Sequence, residues 1–328
     1  MISDSFGDVE FRTPLVRLRR LFADADVEVF AKLEFMNPTG SIKDRPARHA
    51  VRRYLADGTL KPGGRLVEST SGNFGIALAM NSLVHGLKCT LVVDPLATAT
   101  NVALMRGYRA EVVQVSEIDK DGGYLHTRIA EVQKILAHDP EAVWINQYAN
   151  RLNWEAHYLG TGSEIVAELP DRIDYLVAGL STSGTIMGIA RRLRESHPSV
   201  KVIAVDAVGS LIFGGKPRPR RLPGIGASRR PELLDESVID RVIHISDDEA
   251  IAGCHQLRDA EAILAGGSSG AVVAAIRRLI PNVSAGSRIV TLLPDRGERY
   301  LDLIYDSPSA APWHNRAAAR CLQGEAPV

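Results

Sequence analysis

Four short polar turns, each leading into an apolar run, hold the residue types from which chemistry can be built. The first is Asn37-Pro38-Thr39-Gly40-Ser41-Ile42-Lys43-Asp44-Arg45, where Lys43 stands at the passage from strand to helix. A helix N-terminus offers free N–H groups and a partial positive charge, which lower the pKa of a nearby ammonium. A lysine with a depressed pKa attacks carbonyls and can form a Schiff base. The second turn, Thr70-Ser71-Gly72-Asn73, presents hydroxyls and backbone N–H groups suited to a carboxylate. The third, Ser181-Thr182-Ser183-Gly184-Thr185, can hold a phosphate dianion without any lysine. The fourth, Ala265-Gly266-Gly267-Ser268-Ser269-Gly270, opens a helix with a hydroxyl at Ser268. Each has a plainer alternative when taken singly: a solvated lysine at a helix start, or N-caps by Ser71, Asn73 and Ser268.

The elements that must position these turns are legible in the apolar pattern. Val27 to Leu33 reads as a buried strand, and helical spacing resumes after Asp44 at Ala47, Ala50, Val51, Tyr54 and Leu55. From Arg65 onward strand and helix alternate: strands at 65–68, 88–93 and 110–115, helices at 75–83, 98–105 and 124–136. A second series places strands at 175–179, 200–207, 242–245 and 288–293, and helices at 184–194, 248–257 and 270–279. Such alternation predicts α/β architecture: two open twisted parallel-sheet domains with helices on both faces, and a ligand cleft between them. Residues 1–35 with 146–328 are expected to form the larger domain, and 36–145 a smaller mobile one. Residues 209–231 carry four prolines and many glycines and arginines, and read as a long functional loop. The tail after Tyr305 reads as frayed.

Composition narrows the function classes. The 328 residues are 45% hydrophobic with a formal net charge of zero, which argues against an electrostatic nucleic-acid binder. Cys89, Cys254 and Cys321 show neither disulfide nor metal spacing and fit a reducing cytoplasm. No apolar run is long enough to span a membrane, and Met1 to Glu10 lacks the apolar core of a signal peptide. The histidines, His126 and His157 among them, are scattered and read as structural or surface residues. Only 8 lysines occur among the 39 basic residues, so a lysine at a turn stands out.

Taken together and in order, the four turns resemble the cysteine synthase-like enzymes, the fold-type II pyridoxal phosphate family with the tryptophan synthase β-like fold. The segment Phe35 to Ala47 is similar to that family's Schiff-base segment, which places the cofactor on Lys43. The resemblance implies that Thr70, Ser71, Gly72 and Asn73 hold the substrate carboxylate, with Asn73 also bonding the cofactor's phenolic oxygen. It implies a phosphate loop at Ser181, Thr182, Ser183, Gly184 and Thr185, where cysteine synthases are glycine-richer. It places the Ser268 hydroxyl opposite the pyridine nitrogen; a hydroxyl there makes a weaker electron sink than an aspartate would and suits β-elimination. Thr13-Pro14-Leu15 resembles an early family signature and reads equally well as a turn into an edge strand. Within Asn146 to Asn150 the family commonly has phenylalanine where this chain has Tyr148, a phenol able to hydrogen-bond a second amino acid or simply to line an interface.

A subgroup is closer still. Glu68–Met80, Asp119–Glu131 with its Gly122-Gly123-Tyr124-Leu125, Trp144–Asn153, Ile212-Phe213-Gly214, Leu222–Ser228 and Leu293–Asp302 resemble enzymes that join O-phospho-L-serine to the amine of L-glutamate on the way to 2,3-diaminopropionate. That implies a cytoplasmic, homodimeric transferase serving siderophore or antibiotic synthesis, with a dehydrogenase as functional partner. Such anionic substrates need cationic donors. The expected ones are Arg128 for glutamate and Arg229 for the phosphate of O-phosphoserine, with solvated arginines as the alternative in each case. Three rivals stay open: a sulfide-using cysteine synthase, a dehydratase and a silent metabolite-binding subunit.

Overall fold

The computed structural model describes residues 6, 9, 11–119 and 123–306. The readings made on Cys321, Gly122, most of residues 1–10 and the tail from 307 onward lie outside the described residues. Strand β1 (Leu15–Arg17) runs antiparallel to β2 (Val27–Lys32), and α1 (Asp44–Ala56) follows. The chain then alternates through β3 (Arg65–Ser69), α2 (Asn73–Val84), β4 (Lys88–Val93), α3 (Ala99–Gly107), β5 (Glu111–Gln114), α4 (Leu125–His138) and β6 (Val143–Trp144). A helical stretch continues with α5 (Leu152–Ala156), a π-turn at His157–Gly162 and α6 (Ser163–Glu168). The last series is β7 (Tyr175–Gly179), α7 (Gly184–Ser196), β8 (Lys201–Ala207), β9 (Arg241–Ile245), α8 (Asp247–Glu261), α9 (Gly267–Leu279) and β10 (Ser287–Leu292).

Two sheets result. One has the order β1-β2-β10-β7-β8-β9, the other β5-β4-β3-β6, and every pairing except β1 with β2 is parallel. Strands such as Lys88–Val93 are buried from Cys89 onward, as parallel strands covered on both faces must be. Helix α2 is buried from Phe74 to Ser82, which explains its continuous apolar run. Helix α8 starts on a capping box, Ser246 with Glu249, which the reading of 248–257 placed one residue late. Residues 209–231 contain no strand or helix, as expected, yet Ile212, Leu222, Ile225 and Ala227 anchor them in the core.

Residues 152–168 are the helical segment the apolar pattern did not reveal. The π-turn inserts an extra residue per turn, so the phase of the apolar positions shifts partway and a single 3.6-residue period never builds up. Among the described residues, no helix is long and apolar enough to cross a membrane.

Candidate active site

Three of the four turns follow the C-terminal ends of parallel strands, where ligands of open α/β sheets bind, and the fourth, between α8 and α9, brings Ser268 to the same cleft. Strand β10 lies between β2 and β7. The segment after β2 carries Lys43, the one after β10 carries Asp295, and the one after β7 carries Ser181 to Thr185. One cleft is lined by Ile42, Lys43, Asn73, the Ser181–Ser183 turn with Thr185, Ser268 and Asp295. Thr70, Ser71 and Gly72 precede Asn73 on the loop from β3 to α2.

Local sequence explains how each turn is held. Gly40 takes a positive φ of 80°, and Thr39 donates from its backbone N (3.1 Å) and its hydroxyl (2.8 Å) to Asp44. Beneath this turn lies a buried ionic cluster. Arg45 binds Glu34 at 2.7 Å and Glu164 at 2.6 Å. The fully buried Lys32 binds Glu164 at 3.0 Å, Glu168 at 2.8 Å and the Thr13 carbonyl at 2.6 Å. Breaking such a network is costly because a charge would be left buried and unpaired, so Arg45, two residues past Lys43 in the first turn of α1, is firmly placed. Thr13 accordingly does more than lead into the edge strand β1: its hydroxyl donates to Glu34.

Lys43 lines the cleft and is only partly accessible. Burial lowers its pKa to about 8, while the Asp295 carboxylate pulls the other way. Roughly a tenth of such an amine is neutral at pH 7, against fewer than about one in a thousand for an unperturbed lysine. The depression thus comes chiefly from desolvation, where the helix terminus was the expected source.

The capping alternatives are not what these residues do. Helices α2 and α9 have glycine N-caps, Gly72 and Gly266, with no side-chain cap bond. Asn73 instead donates from Nδ2 to Asp295 at 2.7 Å and accepts from Arg299 at Oδ1, and Arg299 also donates to the Thr39 carbonyl. The Tyr300 hydroxyl donates to the same Asp295 carboxylate. Burial raises the pKa of Asp295, and Tyr300, Asn73, Arg299 and Lys43 oppose that shift. Ser268 therefore shares its cleft with a carboxyl that its own turn does not contain.

The turn before α7 is built for an anion. Ser183 adopts a left-handed φ of 68°, lines the cleft, and its buried Oγ has no hydrogen-bond partner. The first N–H groups of α7 have no intrahelical acceptor. Thr182 accepts at 3.0 Å from Asn153, which also donates to the Gln147 carbonyl at 2.7 Å and so ties loop 146–150 to this turn. A Cβ on Gly184 would come within 2.2 Å of the Asn153 Oδ1, so any larger residue there would displace the Asn153 side chain that holds Thr182. An orphaned hydroxyl beside unpartnered N–H groups fits a phosphate, and a pKa-depressed amine across the cleft fits an aldehyde.

The remaining candidates form a neighbouring group. Arg128 Nη1 donates to Ser71 Oγ at 3.1 Å, and its Nε lies 3.2 Å from Asp94. The Arg229 guanidinium stacks 4.9 Å from the ring centre of Tyr148 and pairs with Glu232 at 3.6 Å. Glu68, at the end of β3, accepts from the Ser69 backbone N at 2.9 Å and the Trp144 indole at 3.2 Å. Burial pushes its pKa to about 7, against Trp144, the backbone of Ser69 and Gln147, and Arg128. The motifs missed Asp295, Arg299, Asn153 and His157; Asp295 and Arg299 lay inside a stretch singled out for its resemblance, Leu293–Asp302, and Asn153 closed another, Trp144–Asn153, while His157 lay in none.

Glu68 yields a pH prediction. Its folded pKa lies above its unfolded one, so the folded form holds the proton more tightly. Stability is then full below about pH 4.5 and falls as pH rises through about 7. Glu68→Gln removes that loss. The variant should match the parent near pH 4 and exceed it at pH 8 by on the order of 2 kcal/mol. Urea unfolding at the two pH values measures this; a variant less stable than the parent at pH 8 contradicts it.

Comparison with known proteins bears on this site directly. The family model described as "Pyridoxal-phosphate dependent enzyme" matches residues 7–295. A curated protein of Ralstonia nicotianae, N-(2-amino-2-carboxyethyl)-L-glutamate synthase, is 55% identical over 319 residues, covering 97% of this chain and 93% of that one. Among solved structures, O-acetylserine dependent cystathionine beta-synthase from Helicobacter pylori is 32% identical with a TM-score of 0.85, covering 93% of this chain and 99% of its own. O-ureido-L-serine synthase is also 32% identical, with a TM-score of 0.86 and coverage of 98% and 100%. Amine, orphaned Ser183 hydroxyl and helix N-terminus have the character that a phosphorylated aldehyde requires, and the family match spans the whole cleft. The chain belongs to the pyridoxal-phosphate dependent enzymes, in the fold-type II group expected from its four turns.

Proposed function

We propose that the chain catalyses a β-replacement that joins O-phospho-L-serine to the amine of L-glutamate, giving N-(2-amino-2-carboxyethyl)-L-glutamate and phosphate. The carrying observation is the 55% identity to a synthase of that product along 97% of the chain. In this reaction the Cβ–O bond of phosphoserine breaks and phosphate leaves with the electron pair. A Cβ–N bond forms, and the glutamate ammonium gives up a proton. When bound, pyridoxal phosphate supplies the electron sink that acidifies the α-hydrogen.

The residues divide the work as follows in this reading. Lys43 holds the cofactor, and its Nζ takes the α-proton and returns it. The Ser181 to Thr185 turn holds the phosphate group, and Ser268 faces the ring nitrogen. Thr70, Ser71, Gly72 and Asn73 grip the substrate carboxylate. Arg128, hydrogen-bonded to Ser71, is placed to receive glutamate beside that loop, with Tyr148 as a second donor. Arg229, stacked on Tyr148, serves the departing phosphate. Residues 36–145 act as the smaller domain that brings the carboxylate loop to the larger one, 1–35 with 146–328. A homodimer in the cytoplasm, and a dehydrogenase that cleaves the product oxidatively toward 2,3-diaminopropionate, complete the proposal.

The test is competition. Protein given O-phospho-L-serine with equal millimolar glutamate and sulfide should release the glutamate adduct as its main product by mass spectrometry. Cysteine as the main product would make the chain a cysteine synthase. Pyruvate from phosphoserine regardless of nucleophile would make it a dehydratase.

A further inference from the structure

His157 is wholly buried (0% exposed) and begins the π-turn between α5 and α6. Its Nδ1 lies 3.1 Å from the Thr161 hydroxyl and its Nε2 3.3 Å from the Thr185 hydroxyl. Thr185 lines the cofactor cleft beside Ser181, Thr182 and Ser183. This closeness depends on Gly188. A Cβ there would sit 2.2 Å from the Trp154 carbonyl oxygen and 2.8 Å from the His157 Cβ, so α7 rests directly on the histidine. Burial, with the cations Lys43 and Arg45 and His49 nearby, holds the His157 pKa well below its ordinary value. The ring is neutral: one nitrogen donates and the other accepts.

Only one tautomer serves an anion. If the Thr185 hydroxyl donated to Nε2, it would turn its lone pairs to the cleft and repel a phosphate. If Nε2–H donates to Thr185, the Thr185 proton is free to point into the cleft. Thr161 then donates to Nδ1, and the three donors form one directed chain in which each bond polarises the next. Resting on the family assignment, we infer that His157 is a positioning residue for the cofactor phosphate, fixing the Thr185 hydroxyl as a donor to it through Nε2–H. The extra residue of the π-turn places the imidazole against α7.

The experiment titrates pyridoxal phosphate into apoprotein and records the phosphorus NMR signal of the loaded protein, for the parent, His157→Phe, His157→Gln, Thr185→Val and His157→Phe/Thr185→Val. Tight binding by the parent tests the family assignment separately. Glutamine can offer an amide N–H near the Nε2 position, so it should keep the parental phosphorus signal. Phenylalanine fills the space without a donor. It should move the signal and weaken cofactor binding about fivefold, the worth of one neutral hydrogen bond. Thr185→Val should lose a similar factor, and the double variant no more than either single one. Far-UV circular dichroism of the apoproteins checks folding. Should His157→Phe not fold, a folded His157→Gln with a displaced signal still refutes the role, and one with the parental signal supports it. An unmoved signal in folded His157→Phe, or a full additional loss in the double variant, shows that the histidine acts through packing alone.

Discussion

Lys43→Ala is expected to fold, to bind the cofactor without forming a covalent link, and to turn over more than about a thousandfold more slowly than the parent. Two losses coincide in one side chain: the nucleophile toward the aldehyde and the base at the α-carbon. The local structure should tolerate the change, because the turn is held by Thr39, Asp44 and the Arg45 cluster, none of which needs the Lys43 amine. Borohydride treatment of the loaded parent should fix the cofactor to the peptide containing Lys43, and that peptide should be unmodified in the variant. The same amine sets a pH dependence. With its pKa lowered to about 8 by burial, its rate of capturing the aldehyde should climb with pH and level off above about 8. A variant within tenfold of the parent, or a covalent link at another lysine, would remove Lys43 from the centre of the mechanism.

Arg128→Ala should raise the KM for glutamate by about thirtyfold or more, since losing an arginine from a partly buried carboxylate site costs roughly 2–5 kcal/mol. Arg128 is not a free cation waiting for substrate: it touches Ser71 and lies against Asp94, which is itself buried. The Asp94 backbone N also donates to Ser71 Oγ at 3.2 Å, so arginine, aspartate and serine form one unit at the loop Thr70 to Asn73. A smaller rise in the KM for O-phosphoserine, several-fold, should accompany the glutamate effect. Arg128→Lys keeps the charge and loses the fork, and should recover only part of the affinity. Arg229→Ala should do the reverse, raising the phosphoserine KM more than the glutamate KM. Steady-state kinetics with each substrate varied in turn decide it. An unchanged glutamate KM in Arg128→Ala would confine Arg128 to supporting Ser71.

Much of the fold was legible because parallel strands and their covering helices carry their own signals. Lys88–Val93 and Tyr175–Gly179 are rich in apolar and β-branched residues, and they form strands over those residues. Helix ends were read less well: the helix read at 248–257 extends to Glu261, because its last turn is polar on the solvent side. The π-turn broke the period of 152–168, and the two-residue strand Val143–Trp144 is too short to show any period at all.

The chemistry divides along the same line. What the sequence by itself determined is local: a lysine at a strand-to-helix turn, and hydroxyls and glycines ahead of helix starts. Each of those features is settled within about ten residues by turn geometry and helix termini. What only the tertiary structure decided is which of these groups meet. Asn73 finds Asp295 across 222 positions, and Arg45 finds Glu164 across 119. His157 reaches Thr185 only because Gly188 lets two helical segments touch. Arg229 comes to rest on Tyr148 through a loop with no periodic signal. A pKa is likewise a property of assembly. Lys43 is pulled down to about 8, and Glu68 pushed up to about 7, because neighbours distant in sequence exclude water from them, and desolvation exists only once the chain has closed around the group.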